Sequence, residues 1–105
     1  MAQSTYTFTI ETRRIVSQRR FVLEMLAAVR GRLYVHQMFG EFNKYRDSIK
    51  KKHASYASFR TIINDMKRER YINPSGNRVN PFDPSAYVIT DRGRQYLETI
   101  REDAD

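Results

Sequence analysis

A chain of 105 residues without cysteine has the length of one domain, with room for a single core and at most a small cleft, and forms neither disulfides nor thiolate metal sites. Its formal charge of +7 is unevenly laid: residues 13–70 hold 15 of the 19 Lys and Arg but 5 of the 12 Asp and Glu. Such a concentration favours a polyanionic partner, nucleic acid above all, over charge kept for solubility. No apolar run approaches the length of a bilayer span and the start MAQSTYTF lacks the regions of a signal peptide, so a soluble cytoplasmic or nucleoid-associated protein is expected, one domain over residues 1–105.

Residues 5–12, TYTFTIET, alternate strictly, with Tyr6, Phe8 and Ile10 on one side. They predict a half-buried N-terminal strand whose edge pairs with its own sheet or with a second subunit. Helical spacing follows through Val22, Met25, Leu26 and Val29, widened by Phe21, with Ser17 as cap and Gly31 as stop. Arg13, Arg14, Arg19 and Arg20 crowd the start of this helix, the end where the dipole prefers anions. A bound phosphate would relieve that conflict, and ordinary solvation is the plainer account.

Val35, Met38, Phe39, Phe42, Tyr45 and Ile49 form a second helical stripe over residues 34–49. Gly40 interrupts it at a cost of about 1 kcal/mol relative to alanine, which predicts a close helix crossing or a break. The run Lys50, Lys51, Lys52, His53 then reads equally as a solvated connector or as a phosphate clamp ahead of the next helix.

That next helix, within residues 53–72, is the informative one. Phe59, Ile62, Ile63 and Met66 recur at i, i+3, i+4 and i+7 and make one buried face. Ser55, Tyr56, Ser58, Arg60, Thr61 and Asn64 on the remaining surface are short, flat or hydrogen-bonding, and Lys67 and Arg68 add charge further along. A face of this composition fits a major groove, with its first turns at base edges and its cations at phosphates.

Tyr71–Ile72 and Tyr87–Ile89 predict two short strands on either side of a long turn that holds Pro74, Gly76, Pro81 and Pro84, with Arg78 at its tip. Residues 91–102 predict a last helix, capped by Thr90 or Asp91 and held by Tyr96, Leu97 and Ile100, with residues 102–105 as a frayed acidic tail. The expected core comprises Val22, Met25, Leu26, Met38, Phe42, Phe59, Ile62, Ile63, Met66, Val88, Ile89 and Leu97.

In this order the elements resemble an α+β fold, the winged helix-turn-helix domain of MarR-like and PadR-like transcription regulators. SFRTIINDMKRERYI carries one half of the match, as a recognition helix running into the first wing strand. AYVITDRGRQYLETI carries the other, with Thr90, Asp91, Gly93 and Leu97 in the pattern that opens the following helix. The likeness covers about residues 17–101 and implies a helical core with a small antiparallel wing sheet. Departures are Arg70 where those families usually turn on a glycine, a longer and more basic connection between the second and third helices, and no long flanking helix for dimerisation. No effector pocket is evident.

His36 and His53 stand apart from any HExxH or cysteine pattern, and no phosphate-cradling glycine loop or catalytic motif is present, so neither a metal site, a cofactor nor an enzyme is expected. The function implied is sequence-specific binding of double-stranded DNA by a small regulator acting as a homodimer, with residues 55–70 in the major groove and the wing, residues 73–85, on the adjacent minor groove or backbone. Arg60 is the candidate reader of guanine and Asn64 of adenine; Lys50, Lys51, Lys52, Lys67, Arg68 and Arg78 are candidate phosphate contacts. The alternatives are a winged-helix protein-interaction module and, further off, an RNA or single-strand binder.

Overall fold

The structure, a computed structural model, describes residues 17–29, 31–75 and 86–104. Its elements run α1 (Gln18–Val29), β1 (Leu33–Tyr34), α2 (Val35–Ser48), α3 (Tyr56–Arg68), β2 (Ile72–Ser75), β3 (Ala86–Ile89) and α4 (Asp91–Ala104). The strands form one antiparallel sheet in the order β1-β3-β2, with Leu33 opposite Tyr87 and Ile72 opposite Ile89. Residues 5–12, with the strand expected there, Arg13, Arg14 and Arg78 lie outside the described residues.

α1 starts as its sequence predicts: the Ser17 hydroxyl accepts the Arg20 N–H at 3.2 Å. Its burial is broader than one stripe. Phe21, Val22, Leu23, Glu24, Met25 and Leu26 are all buried in succession, because α2, α3, α4 and β3 pack around this one helix. Phe21 meets Phe42 edge-on at 5.2 Å, and Phe59 joins them from α3 at 5.8 Å from Phe42.

Of the expected core, Ile62, Val88 and Ile89 are only half-buried. In β3 the buried residues are Ala86 and Tyr87, since there the strand lies between β1 and β2, whereas residues 88 and 89 pair with β2 alone. Gly40 neither breaks α2 nor marks a crossing: the helix runs through it, and a Cβ there would meet nothing within 4 Å. α4 continues to Ala104, so residues 102–104 are helical where a frayed tail was expected.

Arg19 and Arg20 are occupied within the protein, and neither phosphate nor plain solvation accounts for them. Arg20 Nε bonds Glu24 at 3.2 Å, and Arg101 Nε reaches the same carboxylate from α4 at 3.0 Å. Glu24 is only 7% exposed. Burial pushes its carboxyl pKa up, but the hydrogen bonds and charges of Arg101 and Arg20 outweigh this and hold it below the ordinary value. Arg19 joins α1 to the end of α3 through Glu69 at 2.7 Å.

Candidate nucleic-acid interface

α3 is capped by Ser55, whose hydroxyl accepts the Ser58 N–H at 3.1 Å; that residue's first role is therefore in the helix itself. Phe59, Ile63 and Met66 are fully buried and Ile62 flanks them. At about 100° per residue the opposite side of the helix is Ala57, Thr61, Asn64 and Arg68, and all four are exposed. The structure thus brings Thr61, Asn64 and Arg68 into one outward stripe. Ala57 completes it, a residue that the search for polar side chains passes over although its i, i+4, i+7 spacing to Thr61 and Asn64 is legible.

Tyr56, Arg60 and Lys67 fall on one flank of that stripe, Ser58 and Asp65 on the other. Tyr56 is the one large hydrophobic residue exposed among the described residues, at 47%, and stands edge-on to Phe39 of α2 at 5.2 Å. Arg60 is half-buried. Thr61 donates its hydroxyl hydrogen to the Ala57 carbonyl at 3.0 Å. Arg68 bonds the Asp65 carboxylate, so its charge is partly answered within the helix.

The cations before α3 sit on a turn tied down from α2. Asn43, buried, accepts the Ala54 N–H at 2.9 Å; Asp47 meets His53 at 2.8 Å; and Arg46 donates to the Lys52 carbonyl. Lys50, Lys51 and Lys52 are left exposed. α2 ends with Lys50 in the left-handed region at φ 60°, its N–H bonding Asp47 and that of Lys51 bonding Arg46. α3 ends in the same way, with Arg70 at φ 67° and the N–H groups of Arg70 and Tyr71 bonding Lys67 and Met66. Both are six-to-one and five-to-two closures that usually turn on glycine. Arg70 therefore adopts the left-handed conformation, one of the two outcomes open to it in the sequence.

Where the wing begins, three segments are knotted together. The Thr90 hydroxyl lies 2.7 Å from the Arg70 carbonyl and accepts the Gly93 N–H at 2.9 Å, while the Thr90 N–H bonds the Tyr71 carbonyl at 3.1 Å. Thr90 is thus the cap of α4. Gly93 presses so closely on the Tyr71 carbonyl that a Cβ would collide with it. Tyr71 stacks on Tyr96 at 4.2 Å, and the Arg92 guanidinium lies over the Tyr71 ring at 5.3 Å.

Among the described residues no three His, Asp or Glu side chains gather as metal ligands, and no helix is long and apolar enough to cross a membrane. Open grooves flank α4, one lined by Ala27, Leu97 and Arg101 and another by Leu26, Val88 and Arg94.

Two helices joined through residues 49–55, the second followed by a pair of antiparallel strands, define a winged helix-turn-helix. Comparison with solved structures gives the same fold. Bacillus subtilis PadR, solved in complex with operator DNA, superposes with a TM-score of 0.60 at 17% identity, over 77% of this chain and 44% of that one. A PadR family transcription regulator from Clostridium difficile R20291 superposes with a TM-score of 0.58 at 11% identity, over 82% and 84%. The chain spans less than half the length of the Bacillus protein. No family model and no curated protein matches the sequence.

Proposed function

We propose that this protein is a sequence-specific double-stranded DNA-binding regulator that places α3 in the major groove and residues 73–85 on the adjacent minor groove or backbone. The observation that carries this reading is the exposed side of α3, a stripe of Ala57, Thr61 and Asn64 that ends in Arg68, edged by Arg60 and Lys67 and preceded by the three exposed lysines of the α2–α3 turn. Short polar side chains suit base edges and flanking cations suit phosphates. The operator complex of the Bacillus PadR supports a DNA partner for this fold. Tyr56 and Ser58 would contact the groove walls and Arg78 the wing's own contact. Binding as a homodimer to two half-sites belongs to the same reading, with residues 5–12 or the terminal helices as its interface. Action on DNA would place the protein in the cytoplasm or on the nucleoid, without catalysis or cofactor.

Titration of duplex DNA at increasing salt tests it. Affinity should fall with a logarithmic slope of roughly 0.9 for each phosphate contact, and Lys51→Ala should weaken all duplexes alike. Arg60→Ala separates its possible duties: a loss of about 1–3 kcal/mol on the selected site alone marks a base contact, and an equal loss on random DNA a phosphate contact. Failure to bind any duplex at low salt would transfer the assignment to a protein-interaction module.

A further inference from the structure

We infer that the outward stripe of α3 selects a half-site of A·T pairs, and that Asp65 sharpens the choice by withholding Arg68 from guanine. The inference rests on the DNA-binding reading and deepens it. Ala57 to Asn64 covers about 10 Å along the helix axis, the reach of about three base-pair steps. What these residues offer is chemically narrow. Ala57 presents a methyl group; Thr61, with its hydroxyl hydrogen already donated to Ala57, presents a methyl and a lone pair; Asn64 presents an exposed amide.

Thymine shows a C5 methyl in the major groove, which takes apolar contact, and adenine shows the donor and acceptor that asparagine matches with two bonds. Guanine shows two acceptors, and reading them takes a donor pair, typically from arginine. The stripe has one such group. Arg68 is bound to Asp65 three residues earlier on the same helix, a spacing at which side chains meet across one turn. The pair also cancels the charge of Asp65, a carboxylate that would otherwise face phosphates. Arg60 and Lys67 lie to one side of the stripe, where a docked helix meets the groove wall.

Selection from random duplexes by the parent, Asp65→Asn and Asp65→Asn/Arg68→Ala tests the inference, with a thermal melt of each variant to confirm folding. The parent should enrich a run of three or more A·T pairs by at least roughly fivefold over G·C at each position. Asp65→Asn should gain guanine at one end of that run, bind random DNA more tightly and steepen the salt slope by roughly 0.9. The double variant should lose all three gains. A parent that prefers G·C pairs, or an Asp65→Asn variant with an unaltered preference at every position, overturns this inference and leaves DNA binding standing. Absence of binding to every duplex overturns the functional reading first and this with it.

Discussion

The α1–α4 seam and the α2–α3 turn are both fastened by a carboxylate meeting a nitrogen base, yet their surroundings are opposite. In the seam, Glu24 is 7% exposed and held by Arg20 and Arg101. In the turn, Asp47 and His53 meet at 2.8 Å with side chains 64% and 60% exposed. The bond in the turn is shorter than those that the Arg20 and Arg101 Nε atoms make to Glu24, at 3.2 and 3.0 Å. What separates the two is the burial of the carboxylate: water replaces a lost partner of Asp47 readily and reaches Glu24 little.

The sharpest test of this contrast is Glu24→Ala, which removes the buried acceptor shared by Arg20 and Arg101 and should lower unfolding free energy by about 2–3 kcal/mol in a urea titration, Arg101 keeping its bond to Glu98. Acid sharpens the same comparison. Glu24 and Glu69 have pKa values held below the ordinary 4.5, Glu69 chiefly by its hydrogen bond from Arg19. Their stabilisation is therefore complete above that value and is lost as pH falls through the depressed folded values. Stability of Glu24→Gln measured below pH 4.5 should fall less steeply than that of the parent.

Asn43→Ala, which removes the buried acceptor of the Ala54 N–H, should cost about 1–2 kcal/mol. It shows that the turn too has one buried fastening. Lys50→Gly should raise stability by up to about 1 kcal/mol, since glycine enters the left-handed region without the clash of a Cβ. Asp47→Ala, at the exposed pair, should change stability by no more than about 0.5 kcal/mol. A loss as large as that of Glu24→Ala would mean that burial does not set the difference.

What the sequence disclosed divides along a similar line. The order of helices, the buried face of α3, the caps at Ser17 and Thr90 and the anomaly at Arg70 are local patterns and were legible. β1 is two residues long, and its register depends on Tyr87, more than fifty positions away, so no periodicity announces it. Glu24 reads as a surface acid until Arg101 arrives from 77 residues on. In the candidate interface, composition pointed to α3 and its basic surroundings. It did not show which cations are engaged: Arg19 is bound to Glu69 across 50 residues, whereas the Asp65–Arg68 pair, three residues apart, was open to view. Gly40 misled because the cost of a helical glycine is borne by the packing of its neighbours, without any crossing to mark it.

The knot at Thr90 makes the hairpin a cantilever. Its outgoing strand leaves from Arg70 and Tyr71, its returning strand arrives at Thr90, and Gly93 presses α4 against the same carbonyl. A beam built in at its root transmits a turning moment to its support. For this molecule, a push on the wing is borne by α3 and α4 together, and the angle between wing root and α3 is set by the fold itself. Less freedom then remains to be lost on association, which is where a preorganised binder gains its affinity.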